Sequence, residues 1–226
     1  TYAALLRQAL ALAGWLQRVA GVAAGDRVLL MAQNSPQFVV AFYAIMRAGA
    51  VVVPVNPMSK ADELGHYILD PQARVAICAA DVAGQMLAAN EALADADRLR
   101  TMLVVRYADA MPADLHPDDR PPDAWSAWLH AEAPASPITH AWAQALSAGL
   151  APEAPTAGPD DLMALCYTSG TTGKPKGCMH THRTIGHNTM AVALWNGASA
   201  ADVSLGVVPM FHITGMQFAV HLPIYL

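Results

Sequence analysis

Residues 162–177 read LMALCYTSGTTGKPKG, an apolar run followed at once by a loop of glycines, hydroxyls and lysines. The run 162–168 predicts a buried strand. In the loop, glycines let backbone N–H groups approach an anion closely, hydroxyls add rotatable donors, and lysines add positive charge. Because open α/β sheets bind ligands beyond the carboxyl ends of their strands, this stretch predicts a phosphate-binding loop.

The loop is not a Walker A loop. That motif needs a glycine five residues before Gly173, where Thr168 stands, and Ser or Thr after the lysine, where Pro175 stands. Pro175 also has no N–H to donate to a phosphate. From composition alone, a plain polar surface connection is as good an interpretation as a phosphate site.

Strand and helix patterns alternate on both sides of a proline-rich middle segment. The predicted strands are 27–31, 51–55, 74–79, 101–105, 162–168 and 203–208. The first two predicted helices are 5–16, which Gly21 ends, and one that runs from Ser35-Pro36 to Gly49. A third begins at a capping box of Ser59 and Asp62 and ends at Asp70-Pro71. The fourth is 82–93. This alternation predicts an α/β fold, a parallel sheet with crossover helices.

Residues 107–160 hold nine of the sixteen prolines and many acidic side chains. We expect a peripheral insertion here, in which Trp125, Trp128 and Trp142 anchor short helices. Its scattered aspartates are interpreted as a solvated surface, because carboxylates in irregular sequence rarely converge on a metal.

The composition excludes several classes of protein. The net charge is −5 and no run of Lys or Arg occurs, so we expect no nucleic-acid partner. The three cysteines include no C-x-x-C pair, which favours reduced thiols and a cytoplasmic location, and we interpret Cys166 and Cys178 as packing residues. The longest apolar stretch, 38–55, is interrupted by Arg47, Gly49 and Pro54, so we expect no transmembrane segment.

Four segments carry a resemblance to a known family. Residues 167–177 match the pattern Y-T-S-G-[ST]-T-G-x-P-K-G at all eleven positions, and the segments RAGAVVVPVNP (47–57), VPMFHITG (208–215) and TYAAL (1–5) follow the same family's order. The chain resembles the adenylate-forming (AMP-binding) enzymes, and within them the acyl-CoA synthetases. It looks like an N-terminal-domain fragment of a bacterial long-chain-fatty-acid–CoA ligase.

The resemblance implies that 1–226 is part of a large N-terminal domain, with a first α/β portion (1–106), the insertion (107–160) and the loop portion (161–226), and that the C-terminal domain is absent. It implies ATP-dependent activation of a carboxylic acid, for which we expect a fatty acid, to acyl-AMP, then transfer to coenzyme A, with Mg²⁺ arriving on ATP. Alternatives are an aryl-CoA ligase, a peptide-synthetase-type adenylation enzyme, or a non-catalytic nucleotide-binding fragment. The chain alone is expected to be inactive and to form dimers or aggregates through an uncovered sheet edge.

The resemblance also assigns site residues. Thr168, Ser169, Thr171 and Thr172 are hydroxyl donors to phosphate; Gly170, Gly173 and Gly177 set the backbone geometry; Lys176 is the charge partner, and Lys174 is solvated. His212 corresponds to the family histidine beside the acyl pocket, although a hydrogen-bonded structural role is an equal alternative. For His180 and His182, a metal site is the lesser interpretation beside Thr181 capping a helix, and no metal ligand is assigned.

Overall fold

The computed structural model describes residues 1–168 and 173–226. Four residues predicted to bind phosphate, Ser169, Gly170, Thr171 and Thr172, lie outside the described residues.

A seven-stranded sheet organises the chain, in the order β5-β4-β3-β1-β2-β6-β7. The strands are β1 Arg27–Met31, β2 Val51–Pro54, β3 Val75–Ala79, β4 Thr101–Val105, β5 Thr139–Ala141, β6 Leu162–Thr168 and β7 Lys176–Thr181. All neighbouring pairs are parallel except β6 and β7, which run antiparallel. The predicted α/β class is confirmed as a mixed, mostly parallel sheet, and β5 and β7 are strands that the sequence patterns missed.

Helices cover both faces of the sheet. The helices are α1 Tyr2–Arg18, α2 Pro36–Arg47, α3 Ala61–Leu69, α4 Ala83–Glu91, α5 Ser126–Leu129, α6 Trp142–Ser147, α7 His182–Asn196, α8 Ile213–Gly215 and α9 Leu222–Tyr225, with a π-helical segment Met216–His221 before α9. One core contains α1, α2 and α6, and the other contains α3 and α4. Because both faces are covered, the central strands are continuous apolar runs, buried at nearly every position.

Local signals determine where the first helices begin. Ser35 caps α2 by accepting a hydrogen bond from the Phe38 N–H at 3.2 Å, as its sequence predicts. The capping box predicted for Ser59 and Asp62 is wrong by one residue, since the Glu63 carboxylate accepts the Lys60 N–H at 3.1 Å. The capping box lies one residue later than predicted for a local reason. Asn56 accepts the N–H groups of both Met58 and Ser59 and holds the chain in a turn.

The strand predicted at 203–208 is wrong. These residues have no regular structure, and Val203 and Leu205 are 98% and 83% exposed. The loop after β1 holds the segment instead, because the Asn34 side-chain amide donates to the carbonyls of Gly206 and Val208 at 2.9 Å each. β7 pairs with the free side of β6, the place where a further strand would add to this end of the sheet.

Part of the predicted insertion belongs to the sheet. β5 pairs in parallel with β4, and α6 follows it with Trp142 buried. Trp128 also lies in a short helix, its ring 4.6 Å from that of Tyr107. Trp125 is exposed and anchors no helix. Among the described helices, none is long and apolar enough to cross a membrane.

Two helix-interior glycines provide a test of this packing. A Cβ on Gly14 in α1 would lie 2.1 Å from the Leu150 carbonyl oxygen, so Gly14→Ala should lower the free energy of unfolding by about 1–3 kcal/mol. Gly186 in α7 has no atom within 4 Å of its Cβ position, so the control Gly186→Ala should raise it by about 1 kcal/mol. Urea unfolding of both variants measures the difference, and equal effects would contradict the close approach of α1 to residues 149–151.

Candidate functional site

The usual ligand crevice of such a sheet is filled by the protein itself. In the sheet, β2 lies on one side of β1 and β3 lies on the other, so the chain connections diverge between β1 and β3. Open α/β sheets bind ligands at the carboxyl ends of such a pair of strands. Here the Tyr107 hydroxyl accepts the Gln33 N–H at 2.8 Å, and the Trp128 indole donates to Asp81 at 2.8 Å. Gln33 follows β1 and Asp81 follows β3, so these two aromatic rings occupy the crevice.

A cavity of about 370 Å³ opens instead at the carboxyl ends of β2 and β6, beside the start of β7. Its lining comes from those strands, α3 and the segment before α8: Pro54, Asn56, Tyr67, Cys166, Tyr167, Thr168, Cys178, His180, Phe211, His212 and Ile213. A larger, mainly apolar cavity of about 640 Å³ lies along α1, α2 and α9. We assign the candidate site to the smaller cavity, because it adjoins Thr168, where the glycine-rich loop begins.

Two of the predicted phosphate-binding residues stand at the base of the loop. Thr168 ends β6 and is paired across the sheet with Lys176, which begins β7. Both side chains are exposed, as are Gly173 and Lys174 between them. The structure therefore brings one predicted hydroxyl and one predicted charge to the same edge, and their roles toward phosphate stay predictions.

Gly177 has a different importance from the one the sequence suggests. Its φ is not among the positive values of the chain, so it supplies no left-handed turn. A Cβ at this position would lie 3.2 Å from Cζ of Tyr167, the residue directly opposite on β6. The Tyr167 ring lies across the glycine backbone, and a larger residue at position 177 would make a tight contact with that ring.

Three side chains at the end of α3 contact the two arms of the loop. The sequence patterns did not single them out as site residues. The Tyr167 hydroxyl donates to Asp70 Oδ2 at 2.5 Å, and His66 Nε2 donates to the Pro175 carbonyl at 2.8 Å. The Tyr67 and Tyr167 rings meet edge to face at 4.9 Å. Burial first, and then Asp70, raise the pKa of Tyr167, so its hydroxyl keeps its proton. The only sequence signal was the helical spacing of four between His66 and Asp70.

His212 lines the candidate cavity and also makes a structural hydrogen bond. Its side chain is exposed and lines the cavity between Phe211 and Ile213. Its Nδ1 also accepts the Thr214 N–H at 3.3 Å and caps the short α8. The cap fixes the ring at the rim of the cavity, and contact with a ligand stays a prediction.

The alternating histidines do not share a site. His180 lies in β7 and lines the candidate cavity, whereas His182 begins α7 and lines the apolar cavity along α1. Among the described residues, no cluster of three His, Cys, Asp or Glu side chains could hold a metal ion. Thr181 caps α7, as predicted, by accepting the Thr184 N–H at 3.2 Å.

Two cysteines face each other across β6 and β7 at the cavity wall. Cys166 and Cys178 are direct partners in the antiparallel ladder, and both thiols are free. Burial, and then Cys178, raise the pKa of Cys166 to about 12, so it is an unreactive packing residue as predicted. The same interpretation of Cys178 is wrong, because its side chain is exposed.

The whole chain, residues 1–226, matches the family described as "AMP-binding enzyme". The chain belongs to this family. It is 31% identical over 231 residues to a long-chain-fatty-acid–CoA ligase of Bacillus subtilis (strain 168), covering 100% of this chain and 40% of that protein. It is 32% identical over 224 residues to 4-coumarate–CoA ligase 1 of Oryza sativa subsp. japonica, covering 96% of this chain and 35% of that protein.

The fold of this AMP-binding chain is also found in solved structures. ATP-bound MatB from Rhodopseudomonas palustris superposes with a TM-score of 0.72 at 26% identity, covering 99% of this chain and 38% of that one. The chain therefore spans well under half the length of these relatives. The relatives named here differ in the acids that their names record, so family membership does not determine a substrate.

A buried histidine away from the cavity should make stability depend on pH. His221 packs edge to face on Phe42 at 5.1 Å, and its Nε2 has no hydrogen-bond partner in the part of the chain that the structure describes. Burial, and then His182, lower the pKa of His221 from 6.5 to about 4. The unfolded chain binds this proton near pH 6.5, so the stabilisation is complete above that pH and is lost as the pH falls toward 4.

We expect His221 alone to lower the free energy of unfolding by about 2 kcal/mol between pH 7 and pH 5. Urea unfolding at both pH values, for the wild type and for His221→Phe, isolates this contribution. The variant should lose less stability than the wild type over that interval. Equal losses would show that His221 is protonated in the folded state at pH 5.

Proposed function

We propose that the protein containing this chain uses ATP to activate a carboxylic acid as acyl-AMP, releases pyrophosphate, and transfers the acyl group to the thiol of coenzyme A. One observation carries the proposal: the complete motif at 167–177 stands at the carboxyl end of β6, and the candidate cavity opens beside it. Membership of the AMP-binding family supports the nucleotide, and the named CoA ligases support the acid–thiol ligase reaction.

The chemistry explains why such a loop is needed. The acid's carboxylate attacks the α-phosphorus of ATP, so two anions approach each other while pyrophosphate departs with several negative charges. Donors and cations positioned where that charge develops lower the barrier. Thr168 and Lys176, opposite each other at the edge of the sheet, are suited to hold the departing phosphates. We assign the same task to Ser169, Gly170, Thr171, Thr172 and Gly173.

Mg²⁺ fits this site only as a partner of ATP. The described residues form no cluster of metal-ligating side chains. Mg²⁺ commonly keeps several waters and binds mainly through substrate phosphates, where it neutralises part of their charge. The described residues are therefore proposed to contribute positioning, hydrogen bonds and the positive charge of Lys176. The sparse cysteines further support our proposal of a cytoplasmic enzyme with reduced thiols.

The acid is proposed to occupy the cavity, with a fatty acid as the first candidate. The B. subtilis relative named for such acids aligns with the whole chain. An aryl acid is the second candidate, because Tyr67, Tyr167 and Phe211 supply aromatic walls and a further relative is named for 4-coumarate. His212 at the rim would adjoin the acid's carboxylate in either case.

Pyrophosphate release from ATP, assayed with a panel of fatty and aromatic acids, tests the proposal. The protein containing this chain should release pyrophosphate only when an acid is present, and form the acyl-CoA thioester and AMP when coenzyme A is added. The acid with the highest kcat/KM distinguishes the two substrate classes. Hydrolysis to ADP and phosphate without any acid would contradict the reaction class.

Lys176 should be the cation that acts on the departing pyrophosphate. Lys176→Ala should slow adenylate formation roughly a hundredfold, about 3 kcal/mol, because a charged transition-state contact is lost. The KM for the acid should stay near its wild-type value. Lys174→Ala in the same loop is the matched control and should be nearly silent. ATP–pyrophosphate exchange measures both, and similar rates for the two variants would refute the assignment.

A further inference from the structure

The two arms of the loop motif are both bound to one helix. The motif leaves the sheet after Thr168 and returns to it at Lys176. Tyr167, one residue before the exit, donates to Asp70 Oδ2 at 2.5 Å. Pro175, one residue before the return, accepts from His66 Nε2 at 2.8 Å. Asp70 and His66 are one turn apart, at the end of α3.

We propose that His66 and Asp70 are positioning residues that hold the phosphate-binding loop in its working geometry. The pair of hydrogen bonds, His66 to Pro175 and Tyr167 to Asp70, is called the α3 clamp below. This inference rests on the function proposed above, since it assigns the clamp to the loop of that same site. Neither His66 nor Asp70 is among the residues that line the candidate cavity.

The chemistry of each contact suits a rigid attachment. A carbonyl oxygen can only accept, so His66 presents the tautomer with the proton on Nε2. The phenol of Tyr167 donates to a carboxylate, which makes the stronger, charge-assisted kind of hydrogen bond. His66 lies in α3, which buries Leu64 and Ile68 in the core, and Asp70 is the residue that caps the end of that helix, so both attachment points belong to a packed element.

Aromatic packing adds a second restraint to the same arm. The Tyr167 ring meets the His66 ring edge to face at 5.9 Å and the Tyr67 ring at 4.9 Å. On its other side it lies over Gly177, which has no side chain to displace it. Tyr167 is therefore held by α3 and by β7 together, and the loop begins and returns at fixed points.

Such a clamp matters because loop donors stabilise a leaving group only when they are already in place. A donor displaced by about 1 Å can cost up to a hundredfold in rate. The donors of this loop stand between the two clamped residues in sequence. Release of either arm should therefore slow pyrophosphate departure more than it weakens binding of the acid, because the acid's cavity keeps its walls.

The test compares variants that remove a clamp bond with variants that preserve it. In the protein containing this chain, His66→Phe and Tyr167→Phe each keep an aromatic ring, remove one bond, and should lower kcat for ATP–pyrophosphate exchange roughly tenfold to a hundredfold. Because His66 does not line the candidate cavity, His66→Phe should leave the acid's KM unchanged. His66→Gln, whose amide can donate to Pro175, and Asp70→Asn, which keeps an acceptor oxygen, should retain most of the activity. Wild-type kcat in both Phe variants would overturn the proposal.

Amide hydrogen exchange keeps the clamp testable if the proposed function fails. A wild-type protein that shows no acid-dependent ATP–pyrophosphate exchange would refute the proposed function, but not the clamp. In ligand-free protein, His66→Phe should speed amide exchange of peptides covering 168–177 about tenfold, whereas His66→Gln should not, and peptides from β1 and β3 should be unaffected in both. Unchanged exchange at 168–177 in His66→Phe would overturn the clamp, whatever the protein catalyses.

Discussion

The antiparallel pairing of β6 with β7 is the constraint on which the rest of the site depends. It obliges the chain to reverse between Thr168 and Lys176, at the carboxyl edge of an otherwise parallel sheet. Gly177 leaves space for the Tyr167 ring directly opposite it in this register. That ring in turn reaches Asp70 on α3, so one cross-strand pair links the loop, the sheet and the neighbouring helix.

The same sheet leaves its customary ligand crevice closed. Tyr107 and Trp128 come from the proline-rich segment that the sequence assigns to an insertion, and they bind the ends of β1 and β3. The segment is thus part of the reason that the site lies elsewhere. The cavity at the ends of β2, β6 and β7 is instead open to a ligand. The hydroxyl and the lysine of the motif lie at the same edge of the sheet.

Sequence patterns predicted what depends on neighbours in the chain. Strands such as 27–31, 101–105 and 162–168 and the cap at Ser35 follow from local apolar runs and turn residues. The two motifs singled out Thr168 and His212, which both line the candidate cavity, and Lys176, which pairs with Thr168. The failures depend on distant contacts. Residues 203–208 have a strand-like composition but bind Asn34, and the His66–Pro175 and Tyr167–Asp70 contacts span 109 and 97 residues.

We propose that nucleotide binds at the β6–β7 edge and not between β1 and β3. Amide hydrogen exchange of the protein containing this chain, measured with and without MgATP, tests this binding site most directly. We expect MgATP to slow amide exchange in peptides covering 167–177 and the end of α3, and to leave peptides following β1 and β3 unchanged. Slower exchange at residues 32–37 and 80–82, with none at 167–177, would contradict it.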